Sequence, residues 1–227
     1  MKAFSFLLDL LFPIYCSGCA REGEYLCEKC LSGLKFNEKK YFLNTPNLDR
    51  LFIAGDYDDK LLAELIKKYK FNYQQKIGLC LARFLCSFWT KVLSEKQISD
   101  TALLIIPIPL SKKRERFRGF NQSAILAKIF CNSFSYESSA ALKRIKNRPP
   151  QSSLNEKMRA KNIKDVFAWS EGKTSSTNNL EVPQILKNRT IILLDDVVTT
   201  GATLNEAARV LKIAGASKVY GLVLAKG

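Results

Sequence analysis

From about residue 51 onward, hydrophobic positions alternate between short continuous runs and helical spacing. Leu103 to Pro107 is a five-residue apolar run, which is typical of a strand buried on both faces of a parallel sheet. Between Asp58 and Tyr69 the apolar residues recur on one side of a helix. The pattern predicts strands at Leu51–Tyr57, Leu103–Pro107, Ala140–Ile145, Thr190–Leu194 and Val219–Ala225, and helices at Asp58–Tyr69, Gln74–Leu93, Asn121–Phe134 and Thr203–Ala214. This alternation predicts an α/β domain with a mostly parallel sheet flanked by helices, spanning residues 51–227.

The first 50 residues follow a different pattern and are predicted to form a separate small unit. Residues 1–14 are apolar, but Asp9 interrupts the run and Pro13 follows, which argues against a signal peptide. The run is also too short to span a bilayer. They predict a short amphipathic helix that packs on the protein, with membrane-surface contact as the alternative. Residues 31–50 form a connector of little periodicity, and residues 170–183 form a polar, turn-rich loop. No stretch indicates a transmembrane segment, so we expect a cytoplasmic protein.

The charge of the chain narrows the kind of partner. Lysine and arginine outnumber the acidic residues 36 to 21, which gives a formal charge of +15. Such an excess favours an anionic partner, namely nucleic acid, polyphosphate or an acidic membrane, although it could also serve solubility alone. The chain contains no histidine. Catalysis by an imidazole base and metal binding by histidine are therefore excluded.

One strand runs into a sequence suited to binding a phosphorylated sugar. After Thr190–Leu194 come two aspartates, a glycine-containing turn with threonines, and a helix. In a parallel sheet, ligands bind at the carboxyl ends of strands, and a glycine turn followed by a helix N-terminus presents N–H groups to a phosphate. Carboxylates suit ribose hydroxyls or a metal ion instead. The alternative is a plain strand–turn–helix, but that accounts for only one aspartate and one threonine, as helix caps.

Residues Ile191–Thr203 resemble the thirteen-residue signature of type I phosphoribosyltransferases. The resemblance implies that the candidate catalytic residues Asp195 and Asp196 hold the ribose hydroxyls of phosphoribosyl pyrophosphate, bound with Mg²⁺, and that the loop holds its 5-phosphate. Enzymes that salvage 6-oxopurines carry a carboxylate where this chain has Thr199, so such salvage is disfavoured. Any lid is expected from residues 1–50. The candidate ligand-binding residues are Asp195, Asp196, Val197, Val198, Thr199, Thr200, Gly201, Ala202 and Thr203.

Four of the seven cysteines form two close pairs, Cys16-x-x-Cys19 and Cys27-x-x-Cys30. Tetrahedral Zn²⁺ takes four such thiolates, and each CxxC turn supplies two of them. Two disulfides or an iron–sulfur cluster are the alternatives, and a reducing cytoplasm opposes the disulfides. We predict a structural zinc site. The other cysteines fall on predicted helices and are expected to be apolar packing residues.

Two segments, 112–122 and 143–164, concentrate positive charge and are predicted to be basic loops. The first begins at the carboxyl end of a strand, and its arginines alternate with Phe117 and Phe120, as suits single-stranded nucleic acid. Ligand binding, nucleic-acid binding and simple solvation all remain open for these cations. The candidate contact residues are Lys112, Arg114, Arg116, Arg118, Asn121, Gln122, Arg144 and Gln151.

Taken together, these features resemble the ComF family of competence proteins, in particular its ComFC type. Beyond the cysteine module and the Asp195–Thr203 loop, the resemblance rests on short motifs spread over nearly the whole chain. They are Leu11-Phe12-Pro13, Lys70-Phe71, Pro107-Ile108-Pro109-Leu110, Arg118-Gly119-Phe120-Asn121-Gln122, Pro150-Gln151, Arg159 and Asn162.

The resemblance implies a zinc module, residues 1–50, joined to a type I phosphoribosyltransferase-like domain, residues 51–227. It also implies a role in natural transformation, handling single-stranded DNA on the cytoplasmic side of the inner membrane, with a helicase-like partner. Peripheral association with that membrane is a further expectation. Two other hypotheses stay open: a metabolic enzyme that transfers ribose 5-phosphate to a small acceptor, and a regulator that binds the ligand without turning it over.

Overall fold

A computed structural model shows a five-stranded, all-parallel sheet with the strand order β1-β7-β6-β2-β3. The structure describes residues 13–39, 41, 43–71, 75–98, 102–146, 165–170, 186 and 189–227. The strands are β1 (Arg50–Asp56), β2 (Leu103–Pro107), β3 (Glu137–Ser138), β4 (Leu142–Arg144), β5 (Phe167–Trp169), β6 (Thr190–Val198) and β7 (Lys218–Lys226). The helices are α1 (Glu28–Ser32), α2 (Lys60–Phe71), α3 (Gln75–Ser94), α4 (Lys112–Arg118), α5 (Gln122–Phe134) and α6 (Ala202–Ile213).

The sheet is covered on both faces, which confirms the predicted class. Ile192 and Leu194 of β6 belong to a core that includes α2, α3 and α5. Ile191 and Leu193 belong to a second core that includes α6 and the antiparallel pair β4–β5. Because successive side chains of a strand point to opposite faces, a continuous apolar run is what such a doubly covered strand requires.

The cysteine module packs directly against the larger domain. Cys16, Leu26 and Cys27 are buried in the same core as helices α2 and α3. Polar contacts add to this packing, because Lys68 donates to the Ser17 hydroxyl at 3.0 Å and Arg83 pairs with Glu28. The division at residue 50 stays a prediction.

Most of the predicted elements are present with small shifts at their ends, but two interpretations were wrong. Strand β6 was predicted to stop at Leu194 and continues to Val198, so the two aspartates lie within the strand. The segment after β2 was predicted to be a basic loop and instead forms helix α4, which is capped by Ser111 at its start and ends at Gly119 in the left-handed conformation. The helix predicted within residues 1–14 falls mainly outside the described residues, as does most of the loop 170–183.

One helix in the described part of the chain is long and apolar enough to cross a membrane by length and composition. It is α3, whose segment Lys76–Ser94 has a mean hydropathy of 1.4 and is half buried in the protein. No membrane span was predicted here from the sequence. Leu81, Leu85 and Trp89 are fully buried against the sheet, so we interpret α3 as a core helix.

Candidate functional site

The two aspartates lie at an open edge of the sheet because β6 is longer than its neighbour β2. Pairing between these strands ends at Leu194 opposite Pro107, whereas β6 stays paired with β7 as far as Val198. The chain then turns away after Ile108, whose N–H donates to the Leu194 carbonyl at 2.9 Å. Beyond this point no described strand pairs with the β2 side of β6. The space beside it, the crevice, lies at the carboxyl ends of the strands, where open α/β sheets bind ligands.

Asp195 is partly buried in this crevice and is held by two donors. The Ser123 hydroxyl donates to Oδ1 at 2.8 Å, and the backbone N–H of Asp196 donates to the same atom at 2.9 Å. Burial, together with the charge of Asp196, raises the pKa of Asp195 to about 7, and the two donors offset only part of this rise. Asp195 can therefore take up or release a proton near neutral pH.

Asp196 is 8% exposed and has a cationic partner. Lys70 at the end of α2 places its Nζ 3.1 Å from Asp196 Oδ2, and both side chains are largely shielded from solvent. Sequence reasoning noted Lys70 only within a family motif and gave it no role. A lysine that is shielded from water usually requires an acidic partner, but the sequence shows neither that Lys70 is shielded nor which acid it meets.

The segment from Arg118 to Ser123 forms a scaffold around the aspartates. Asn121 caps α5 by accepting from Ser123 N–H, and its side-chain amide donates to the Ile108 carbonyl at 3.1 Å. Gln122, which is 1% exposed, accepts from Arg118 at 2.9 Å. Tyr69 donates its hydroxyl to the Gln122 carbonyl at 2.9 Å. Asn121 and Gln122 were predicted as contact residues of a loop, and the structure gives them these fixing contacts at the start of a helix.

The candidate phosphate loop joins β6 to α6. Gly201 caps α6 with a φ of +79°, a conformation that favours glycine. Thr199 is exposed and Thr200 is partly buried, so both hydroxyls lie near the surface at the positive end of the helix. Residues 43–47 of the N-terminal connector lie against this loop, and Asn205 of α6 accepts from the Asn47 N–H at 2.8 Å.

Three arginines form a cationic group on one side of the site: Arg118 and Arg144 interact with the aspartate charges, and Arg114 interacts with both of these arginines. Arg114 and Arg118 are one helical turn apart on α4 and are both partly buried, whereas Lys112 and Arg116 are exposed. Burial lowers the pKa of Arg118, and Arg114 lowers it further, while the charges of Asp196 and Asp195 act to raise it. Burial and Arg114 likewise lower the pKa of Arg144, against the charge of Asp195. A concentration of cations around a carboxylate pair is suited to a polyanion that also carries hydroxyls.

The two aromatic residues of the segment 112–122 differ in their exposure to solvent. Phe117 is 65% exposed, but Phe120 is buried and packs on Tyr69 with 5.4 Å between ring centroids. Only Phe117 of the two is therefore placed to stack on a base. Arg144 lies in strand β4, over the Phe167 ring, and not in a loop. Gln151 and residues 147–164 lie outside the described residues.

The four cysteines predicted to bind zinc form one cluster. Their Sγ atoms lie within 4.8 Å of one another, and those of Cys19 and Cys27 are 3.6 Å apart. A tetrahedral ion with Zn–S distances of about 2.3 Å requires S···S separations of about 3.8 Å, which this cluster fits. All seven cysteines are free thiols in the structure, and Cys80, Cys86 and Cys131 are buried or partly buried. The cluster can hold a metal, and no disulfide joins its four cysteines in the structure.

The backbone around the cluster favours a thiolate at Cys16. Burial opposes ionisation, but N–H groups of Cys27 and Gly18 point at its Sγ at 3.3 and 3.4 Å, and together such contacts lower the pKa of Cys16 to about 6. Hydrogen bonding to Cys27 raises the pKa of Cys30 to about 12 when the four thiols share no ion. Gly18 is required here, because a side chain would approach Cys30 Sγ to 2.6 Å.

Comparison with known proteins shows the family of the chain. The model for the phosphoribosyl transferase domain matches residues 127–227. Competence protein F of Haemophilus influenzae is 32% identical over 94% of this chain and 86% of its own length. DNA utilization protein YhgH of Escherichia coli K12 is 30% identical, over 90% and 85%. Competence protein ComFC of Bacillus subtilis is 33% identical over 68% of this chain and 55% of its own length. With its parallel sheet, cysteine cluster and phosphoribosyltransferase-like loop, the chain belongs to the ComF family.

Proposed function

We propose that this protein serves natural transformation by handling single-stranded DNA in the cytoplasm, and that it binds phosphoribosyl pyrophosphate with Mg²⁺ at the Asp195–Thr203 loop. The observation that carries the proposal is the meeting of three features at one open strand end. These are a carboxylate pair, a glycine turn that starts a helix, and three arginines with one lysine around them.

Each part of such a ligand has complementary groups in the crevice. Hydroxyls of the ribose would donate to Asp195 and Asp196, while N–H and O–H groups of residues 199–203 would receive the 5-phosphate. The pyrophosphate would lie beside the turn after β2, near Arg114 and Arg118. The carboxylate oxygens also fit Mg²⁺, which would neutralise charge on the pyrophosphate.

The DNA half of the proposal rests on charge and on the relatives. Two relatives are named competence proteins and others are named DNA utilization proteins. The net charge of +15 suits a polyanionic partner. On helix α4, Lys112, Arg116 and the ring of Phe117 are all exposed, and exposed cations together with an aromatic ring suit a single strand. A helicase-like competence protein and the inner face of the membrane are the further partners that this role would involve.

A metabolic phosphoribosyltransferase is the second candidate, and Asp195 is the observation that favours it. In such a reaction the bond between ribose C1 and the pyrophosphate oxygen breaks, and C1 bonds to a nucleophilic atom of the acceptor, which loses a proton. A carboxylate with a pKa near 7 is suited to receive that proton.

Replacing both aspartates by alanine separates the two halves of the proposal. In calorimetry with Mg²⁺, D195A/D196A should lose phosphoribosyl pyrophosphate binding, because the ribose and metal contacts are gone. In fluorescence anisotropy, the same variant should bind a labelled oligodeoxythymidylate within about twofold of the wild type, with an affinity that falls steeply with salt. D58A is the matched control, since Asp58 is exposed.

Three outcomes would contradict parts of this account. Wild-type binding of phosphoribosyl pyrophosphate by the double variant would remove the loop as its site. Loss of DNA binding in the same variant would make separate sites untenable, and a flat salt profile would remove the electrostatic interpretation. Pyrophosphate release in the presence of a small acceptor, but not of DNA, would favour the metabolic enzyme.

A further inference from the structure

A groove beside the aspartate pair has no role in the site described so far. It is lined by Tyr57, Lys60, Ala63, Glu64 and Lys67, and its volume is about 410 Å³. Pockets that bind small molecules are typically about 300–1,000 Å³, so the groove has room for one nucleotide-sized ligand.

The groove leads directly to the candidate ribose site. Its lysines lie seven residues apart on one face of α2, and Lys70, one turn further on, contacts Asp196. Tyr57 lies near the same carboxylate: burial raises the pKa of its hydroxyl, and the charge of Asp196 raises it further. Val197, Thr199 and Tyr57 all approach the space beside Gly227. The groove therefore opens onto the end of β6 from the side of β1 and α2.

The lysines of the groove favour an anionic ligand, and the ring of Tyr57 favours one that also has a planar group. Lys68 pairs with the Glu64 carboxylate at 2.6 Å, which neutralises it. In the described part of the chain, Lys60 and Lys67 have no acidic partner, and both are exposed. Tyr57 lines the same groove as these lysines. A nucleotide whose phosphate binds the lysines could therefore stack its base on the Tyr57 ring, which is how proteins hold bases without reading their sequence.

We propose that this groove binds one nucleotide unit, with its base on Tyr57 and its phosphate at Lys60 and Lys67. The unit would come from single-stranded DNA or from a free nucleotide. The inference rests on the proposed function in that a unit bound here lies beside the sugar held by Asp196. The groove is a binding site separate from the exposed side of α4.

The experiment measures binding without phosphoribosyl pyrophosphate, so that the loop takes no part. A labelled oligodeoxythymidylate is titrated by anisotropy, and thymidine monophosphate by calorimetry. Y57L removes the ring while keeping bulk, Y57F keeps the ring, and K60Q/K67Q removes the cations. The matched control K96Q/K218Q removes two exposed lysines near the amino ends of the strands, at the end of the sheet away from the groove.

Loss of stacking should weaken binding about tenfold in Y57L, because one base–aromatic contact is lost, and Y57F should remain within about twofold. K60Q/K67Q should weaken binding about fivefold and reduce the slope of log affinity against log salt for the oligomer by about 1.4. The control should change binding less than about twofold. Equal thermal unfolding of the variants would show that the fold is intact.

The outcomes keep the inference and the proposed function apart. Loss of both ligands in the groove variants supports the groove with DNA as a source. If the wild type binds only the mononucleotide, and the groove variants lose that binding, the groove is supported as a nucleotide site. The DNA half of the proposed function is then contradicted. Groove variants that match K96Q/K218Q would overturn the inference while leaving the proposed function in place. Binding of neither ligand by the wild type would overturn the inference together with the DNA half of the proposed function.

Discussion

Replacing Asp195 with asparagine should stabilise the unliganded protein at and above neutral pH while removing binding of the ribose ligand. Asparagine keeps an oxygen that can accept from the Ser123 hydroxyl and the Asp196 N–H, so the geometry around β6 is preserved. What disappears is a negative charge held beside Asp196 and partly shielded from water. Groups placed for a ligand often cost stability when that ligand is absent.

The magnitude follows from the pKa shift. An aspartate carboxyl has an ordinary pKa of 3.8, and that of Asp195 is about 7 in the folded chain. At 1.36 kcal/mol for each pKa unit, ionising Asp195 costs the folded state on the order of 4 kcal/mol, as an upper bound. Because the folded-state pKa is the higher one, the protein has its full stability below about pH 4 with respect to this group. That stability is lost progressively as the pH rises to 7.

Urea unfolding between pH 5 and 9 provides the assay, with D58N as the control for an exposed aspartate. Since Asp195 also interacts with Asp196, we expect D195N to be about 2–4 kcal/mol more stable than the wild type at pH 8, and this difference should shrink to about 1–1.5 kcal/mol at pH 5. D58N should stay within about 0.5 kcal/mol at both pH values. A D195N variant that is less stable at pH 8, or one that follows the pH dependence of the wild type, would refute this account of Asp195.

Three further changes test other parts of the structure. K70M should destabilise the protein by about 3 kcal/mol at pH 8, as measured by urea unfolding, since it leaves Asp196 without its cation; a loss no larger than that of K70R would contradict the ion pair. C27S should lower zinc to well below one ion per chain in metal analysis and lower the thermal midpoint, because Cys27 is buried in the core; C80S should retain the metal, and equal zinc in both would refute the cluster. G201A should cost at least about 1 kcal/mol and weaken phosphoribosyl pyrophosphate binding, because its φ of +79° is strained for alanine; unchanged unfolding and calorimetry would show that the loop tolerates another conformation.

The sequence predicted the fold well because the buried strands are continuous apolar runs. Leu103–Pro107 was predicted with its bounds unchanged, since apolar residues fill both faces and prolines follow. Strand β6 was underestimated because polar aspartates interrupt the run, although the backbone continues to pair with β7 through Val198. Helix α4 was missed because a highly charged segment has no apolar stripe, and its Ser111 cap and Gly119 stop are the signals that could have shown it.

The residues of the candidate site could be predicted only in part from the sequence, because some of them come from distant elements. Asp195 and Asp196 stand in one local motif, and the structure keeps them together with the glycine turn. Lys70 and Ser123 come from α2 and α5, far away in the sequence, and meet the aspartates only once the helices pack on the sheet. Phe120 was expected to be available to a base and is buried, because alternation with arginines in the sequence carries no information on which face of a turn points inward.

A crystal structure of the protein grown with phosphoribosyl pyrophosphate and Mg²⁺ would test the central claim most directly. The account predicts density for the 5-phosphate against the backbone of residues 199–203, and ribose hydroxyls within hydrogen-bonding distance of Asp195 and Asp196. The pyrophosphate should lie toward Arg114 and Arg118. A ligand bound elsewhere on the protein, with the crevice at the end of β6 empty at saturating ligand, would contradict it.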